Sequence, residues 1–443
     1  MIIKRKLYNE LLEWKNNRNG KTAILLKGAR RTGKSFLCDQ FGKNEYKSYV
    51  IIDFGNVSKE IKELFESDSS DIDKFLSKLQ ILTKTTFYER NTLIVFDEIQ
   101  IFPKARQLIK YLVENGKYDY IETGSLLSLR KNVDNIIIPS EEEHKCLYPL
   151  DFEEFLWAIG DEVTYPYIRE CFDKKKTVGD KIHRNTIKTF REYLLVGGMP
   201  QAVVEYVDSK NFELVDNVKR RILGLYREDV SKFAKGYEQK VISVFDEIPA
   251  QLSKKEKSYK LSALKKSARN RDYEDAFMWL SDAMIVNRCL NATDPNVGLN
   301  LSLDSKLQKI YMSDTGLLVT HTFYDSKFND NDFYKKILFD KLNFNEGIIM
   351  ENIVAQALTY SGHRLFFYTR YDTDRIEIDF LIKRNNKIAP IEVKSSKYTE
   401  HTSLSKFIHK FSHKLGEKYI VYQKDLMVKD DVVHIPVYMA WLL

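Results

Sequence analysis

A chain of 443 residues exceeds one ordinary domain, so two or three compact units are expected. Hydrophobic residues at 43% and charged residues at 30% describe a globular chain, and no apolar run reaches the roughly 18–20 residues of a membrane span. The net charge of +7 is mild, no signal-peptide pattern opens the chain, and Cys38, Cys146, Cys171 and Cys289 are scattered, so a cytoplasmic setting without disulfides or structural zinc is expected.

Residues 22–26 form a short apolar run, expected to be a strand. Gly28-Ala29-Arg30-Arg31-Thr32-Gly33-Lys34-Ser35 follows at once, and Phe36-Leu37-Cys38-Asp39-Gln40-Phe41 begins a helix. Strand, glycine loop and helix in that order are what the pattern G-x4-G-K-S requires. The two glycines let backbone N–H groups turn inward on phosphates. Lys34 is expected to reach the β- and γ-phosphate oxygens and Ser35 to hold Mg²⁺. The nucleotide expected over residues 28–36 is ATP. Tyr49-Val50-Ile51-Ile52-Asp53-Phe54 is a further strand.

Leu93-Ile94-Val95-Phe96 is continuously apolar, as a strand buried on both faces should be, and it ends in Asp97-Glu98. There Asp97 can hold Mg²⁺ through water and Glu98 can polarise the attacking water. A strand over residues 118–121 leads into Glu122-Thr123-Gly124-Ser125, where Thr123 or Ser125 is the candidate sensor of the terminal phosphate. The first 140 or so residues therefore predict a parallel α/β sheet, with Lys34, Asp97, Glu98 and Thr123 as its catalytic candidates.

These strings, with Leu147-Tyr148-Pro149-Leu150-Asp151-Phe152-Glu153-Glu154-Phe155-Leu156, Gly197-Gly198-Met199-Pro200 and Tyr226-Arg227-Glu228-Asp229-Val230, resemble the AAA-type prokaryotic ATPases with a C-terminal domain of unknown function (AAA_14 and DUF4143). The resemblance covers essentially the whole chain. It implies an ATPase core, a helical lid, a winged-helix segment and a C-terminal nuclease-like domain, here divided as 1–150, 151–235, 236–330 and 331–443. Many relatives carry a Gly-Arg pair before the Tyr-Pro-Leu string, where this chain has Glu142-Glu143-His144-Lys145. That leaves Arg130, Arg220, Arg221 and Arg227 as candidates for an arginine finger.

From Asp151 to about Lys235 the apolar spacing is helical, and Phe152, Phe155, Leu156 and Ala158 are expected in a core. The Gly-Gly-Met-Pro string is a hinge or a plain turn. Residues 239–291 predict three helices and then a strand at Met284-Ile285-Val286, the outline of a winged helix. Between Ser253 and Arg271 stand eight Lys or Arg (Lys254, Lys255, Lys257, Lys260, Lys265, Lys266, Arg269, Arg271) against Glu256 alone. Contact with DNA is one reading. A solvated basic face is the preferred one, because the third helix carries Glu274, Asp275 and Asp282.

A helix over residues 346–358 and a strand over 364–368 precede Ile376-Glu377-Ile378-Asp379-Phe380-Leu381-Ile382, which alternates like a half-buried strand. A turn at 384–387 leads to Ile388-Ala389-Pro390-Ile391-Glu392-Val393-Lys394. Glu392 and Lys394, two apart, share a face; a hairpin brings Asp379 beside them, and the helix can supply Glu351. Carboxylates with a lysine are the donor set of Mg²⁺-assisted phosphodiester hydrolysis. This resembles the PD-(D/E)xK nuclease fold, with Glu351, Asp379 and Glu392 as metal ligands and Lys394 as its lysine. The alternative is an inactive fold whose charges form a buried ionic cluster. The expected function is Mg²⁺-dependent ATP hydrolysis coupled to the nuclease-like domain, with DNA and a homo-oligomer as candidate partners and no membrane. The rival is an ATP-dependent regulatory or scaffolding switch.

Overall fold

The structure is a computed structural model that describes residues 3–67, 71–124, 139–254, 258–264, 268–324, 346–370, 376–395 and 402–443. Ser125, Arg130, Lys255, Glu256, Lys257, Lys265 and Lys266, named above, lie outside these residues. The chain divides into two compact units, residues 2–148 with 282–284, and residues 149–281 with 285–443. No helix among the described residues is long and apolar enough to cross a membrane.

The first unit contains α1 (Lys6–Arg18), β1 (Ala23–Lys27), α2 (Lys34–Glu45), β2 (Ser48–Asp53), α3 (Lys59–Ser67), α4 (Ile72–Thr83), β3 (Thr92–Asp97), α5 (Pro103–Asn115), β4 (Asp119–Gly124) and β5 (Glu142–Cys146). The five strands run parallel in the order β2-β3-β4-β1-β5. This is the α/β parallel sheet expected. Alternate residues serve opposite faces, which is why each central strand reads as unbroken apolar sequence. Ala23, Leu25, Ile94 and Phe96 join the core under α3, α4 and α5, while Ile24, Leu26, Leu93 and Val95 join the core under α1 and α2. Cys38, Cys171 and Cys289 are buried, whereas Cys146 is exposed on β5 opposite Lys27 of β1.

The second unit begins with α6 (Phe152–Ala158), α7 (Thr164–Asp173), α8 (Asp180–Val196), α9 (Pro200–Ser209), α10 (Phe212–Phe233), α11 (Glu238–Ser253) and α12 (Asn270–Asp282). Asp151 opens α6 with a reciprocal capping box to Glu154, which accounts for the acidic start of that string. The Gly-Gly-Met-Pro string is a point of close backbone packing. Gly197 ends α8 at φ 78°, and the Leu150 N–H donates to the Gly198 carbonyl at 2.6 Å. A Cβ on Gly198 would lie 2.1 Å from the Leu150 oxygen, and one on Gly316 would lie 2.4 Å from Gly197 Cα.

Between α11 and α12 the described residues hold a single 3-10 turn, Leu261–Ala263, in place of the second helix expected there. The strand expected at 284–286 begins later. Met284 takes a left-handed turn at φ 57°, and β6 (Val286–Ala292) starts after it. Next come β7 (Leu303–Met312), α13 (Thr315–Thr322), α14 (Glu346–Tyr360), β8 (Leu365–Thr369), β9 (Glu377–Arg384), β10 (Lys387–Val393), α15 (Thr402–Phe411), β11 (Lys418–Tyr422), β12 (Met427–Lys429) and β13 (Val432–Pro436). They form one mixed sheet, β12-β13-β11-β10-β9-β8-β6-β7. The sheet thus runs across the division expected at residue 330, because β6 pairs with β8 as well as with β7. The β9–β10 hairpin turns on Asn385 and Asn386 at φ 48° and 59°, the left-handed pair that a two-residue turn demands.

Candidate nucleotide site and carboxylate cleft

The glycine loop leaves the C-terminal end of β1 and enters α2, where a parallel α/β sheet presents ligand sites. Gly33 stands before α2 at φ 93°, a conformation open to glycine. Gly28 is needed for room, since a Cβ there would lie 2.5 Å from the Leu147 carbonyl oxygen. Arg5 steadies the loop from α1's leading end, with Nη1 donating to Thr32 O at 3.0 Å and Nη2 to Tyr148 O at 2.5 Å. The loop's far wall, Thr32, closes on Ala29 O at 2.9 Å.

Lys34 is buried, and its Nζ donates to Gly28 O at 3.0 Å and Ala29 O at 3.1 Å. Burial lowers its pKa, while the nearby carboxylates of Glu98 and Asp97 oppose that shift. The lysine and both acids therefore share one electrostatic environment. Ser35 and Phe36 are exposed at the start of α2.

Asp97 ends β3 and Thr123 lies on β4, the strand between β3 and β1. The Thr123 hydroxyl donates to Asp97 Oδ1, and the Glu98 N–H approaches Thr123 Oγ1 at 3.4 Å. Glu98 sits at φ 55°, left-handed and costly for a residue with a side chain, and its Oε2 accepts from Gln100 Nε2. Lys34, Asp97, Glu98 and Thr123 are thus gathered around one strand-end cluster. Gln100 was not expected there; only its place three residues past Asp97 marks it in the sequence.

Of the arginine-finger candidates, Arg220 bonds Asp216 Oδ2 at 2.6 Å and the carbonyls of Phe323 and Tyr324, and Arg227 bonds Asp246 Oδ1 at 2.7 Å. Arg221 is exposed on α10. Glu142, in the string that replaces Gly-Arg, is buried against Arg106 in a two-pronged pair at 2.9 and 2.7 Å. Beside it, burial and the Glu142 charge push the Glu122 carboxyl well above the usual range. Within the basic stretch, Lys254 reaches Glu247 at 3.7 Å.

In the second unit, Glu351, Asp379, Glu392 and Lys394 line one cleft of about 280 Å³, with Glu377, Lys309, Gln251 and Tyr259 also in its wall. The elements place them by simple rules. Asn352 on α14 accepts from the Met312 N–H at 2.8 Å and donates to the Met312 carbonyl at 3.1 Å, fixing the helix beside β7. Glu351 then accepts from the Tyr311 hydroxyl at 3.0 Å. Pairing of β9 with β10 sets Asp379 Oδ2 2.8 Å from the Val393 N–H. Glu392 Oε1 and Lys394 Nζ, on one face as their spacing predicts, are 2.5 Å apart.

Lys309 on β7 was not expected in this cleft. It is buried, and its Nζ lies 3.4 Å from Glu377, 3.6 Å from Glu351 and 4.0 Å from Asp379. In hydrogen-bonding order β8 and β6 separate β7 from β9, so no strand pairing places the lysine beside these acids. Glu377 was legible, because it shares a face with Asp379; Lys309 had no local signal. Burial and the Glu351 charge push Asp379 up to about 7, against the pull of Lys309. Opposing burial, the three carboxylates raise the Lys309 pKa. Among the described residues no three acids, histidines or cysteines are gathered as metal ligands.

Comparison with known proteins finds three family matches along the chain. Residues 20–156 match the AAA domain family, 187–327 the domain of unknown function DUF8612, and 346–439 the domain of unknown function DUF4143. No curated protein matches the chain. Among solved structures, it is similar to C. elegans PCH-2 (16% identity, TM-score 0.22, 39% of this chain and 48% of that one). It is also similar to Drosophila ORC bound to DNA (14%, 0.29, 72% and 95%) and to AMPPCP-bound DnaA from Aquifex aeolicus (13%, 0.27, 64% and 90%). The chain spans about half the length of PCH-2. With the glycine loop on a five-stranded parallel α/β sheet, the chain carries an AAA domain over residues 20–156 and, toward its C-terminus, a domain of unknown function.

Proposed function

We propose that the chain is a Mg²⁺-dependent ATPase whose turnover is coupled to a nuclease-like C-terminal domain. The observation that carries the ATPase reading is the convergence of Lys34, Asp97, Glu98 and Thr123 at the strand ends beside the glycine loop. ATP would lie along residues 28–36, with Lys34 on its phosphates. Asp97 and the Ser35 hydroxyl offer the hard oxygen donors that Mg²⁺ takes, and the ion would offset charge on the phosphates. Glu98 would orient the attacking water and Thr123 would sense the terminal phosphate. Replacing Lys34 with Ala should lower ATP-dependent phosphate release by more than about a hundredfold, the scale of losing one preorganised charge-stabilising donor. An unchanged rate would sink the reading.

The nuclease-like reading rests on Glu351, Asp379, Glu392 and Lys394 lining one cleft. DNA is the proposed ligand of this domain, and a homo-oligomer the proposed assembly. If the chain cuts plasmid, linear or single-stranded DNA with Mg²⁺ or Mn²⁺, joint replacement of Asp379 and Lys394 by Ala should abolish that cutting. If the unaltered chain cuts none of these, with or without ATP, the domain serves a regulatory switch instead. That second reading is favoured by one observation. The Lys309 ammonium already stands among three of the carboxylates, an arrangement that does not fit a divalent ion.

A further inference from the structure

The cleft in the second unit holds four carboxylates, and three of them face a cation that belongs to the chain itself. Lys309 Nζ lies within 4.0 Å of Glu351, Glu377 and Asp379, and its side chain is 8% exposed. The fourth acid, Glu392, is engaged by Lys394. One Glu392 oxygen, Oε2, is buried without a hydrogen-bond partner among the described residues, but a single oxygen is not a coordination set. From this geometry we infer that Lys309 is the resident cation of the cleft and holds the place that a divalent metal ion takes in a metal-dependent phosphodiester-cleaving site.

The physical basis is competition for the same oxygens. Two cations cannot share three carboxylates without strong mutual repulsion, so an entering metal ion must first displace the ammonium. Withdrawal of Lys309 along its own strand has a cost. Its stem lies beside buried Cys289, its strand partner, and its Nζ is 5.5 Å from the Phe367 ring, so withdrawal would leave a charge among apolar groups. Dehydrating a divalent ion adds a further cost, whereas the dehydration of the tethered ammonium is already met on folding. Tyr311 supports the arrangement, since its hydroxyl holds Glu351 Oε2, the oxygen facing Lys309.

The inference rests on reading this cleft as the nuclease-like site, and its test uses metal binding rather than cutting, so the two can fail separately. The nucleotide-free full chain is titrated with Mn²⁺, and free ion is followed by electron paramagnetic resonance. Comparison with Asp379→Asn isolates the cleft from any ion bound beside the glycine loop. The unaltered chain should show no binding that depends on Asp379. Lys309→Met should gain one Asp379-dependent site, at least about tenfold tighter than anything seen before the change. Asp379-dependent binding in the unaltered chain, or a folded Lys309→Met chain that gains none, overturns the inference. If Lys309→Met folds poorly, Lys309→Gln is titrated in its place. A thermal melt with and without Mn²⁺ then gives a second reading, in which stabilisation by the ion is expected of the variant alone.

Discussion

At the scale of single residues, the buried acids are the most informative groups. Of the neighbouring acids Glu122 and Glu142, only Glu142 accepts hydrogen bonds from Arg106, and burial with the Glu142 charge raises the Glu122 pKa. A carboxyl raised in the folded state binds a proton on folding, so its contribution to stability is full below the unfolded pKa and falls as pH rises through the folded one. Glu122→Gln keeps the neutral shape and cannot ionise. Its stability in urea, relative to the unaltered chain, should therefore improve from about pH 5 to about pH 8, by no more than about 1.4 kcal/mol per pH unit. A flat or declining difference would contradict this. The residues of the glycine loop and of the strand-end cluster were readable because each lies in a contiguous string with a backbone requirement of its own. Glu351, Asp379, Glu392 and Lys394 were readable from strand alternation and a helix placed just before. Lys309 was not, because β8 and β6 stand between its strand and that of Asp379 in the sheet, and no window of sequence encodes that order.

At the scale of elements, unbroken apolar runs predicted the central strands of the parallel sheet and alternation predicted β9 of the mixed one, and the Arg384-Asn385-Asn386-Lys387 turn appears where the breaks in pattern placed it. The failures cluster where local pattern is weak. The basic stretch carries few apolar residues to bury, and among its described residues only Leu261–Ala263 forms a turn of helix. The Gly-Gly-Met-Pro string has a more definite purpose than either a hinge or a plain turn. It lets α8 end against the backbone of residue 150, with Gly316 pressed on Gly197 from α13. Gly198→Ala should cost about 3 kcal/mol or more, since the obstructing atom is a backbone oxygen that cannot rotate away. Chemical denaturation would reveal it as a lowered midpoint; a loss under 1 kcal/mol, roughly the ordinary helix-interior penalty reversed, would mean the contact relaxes.

At the scale of the whole chain, each unit owns its hydrophobic core: the two faces of the parallel sheet in the first, and a cluster of Tyr368, Ile378, Leu381, Leu404 and Phe407 in the second. Separate cores predict two calorimetric transitions. ATP with Mg²⁺ should raise the transition of residues 2–148, by about 2.7 kcal/mol at a hundredfold excess over the dissociation constant. A single transition, or an equal shift in both, would contradict that division. The same unit carries one exposed thiol. Cys146 lies on β5 opposite Lys27, the residue that precedes Gly28, while the other three cysteines are buried. A maleimide dye added to the native chain would therefore attach at one place, one strand away from the phosphate loop. Nucleotide arrival could then be followed as a change in fluorescence, without altering a single residue.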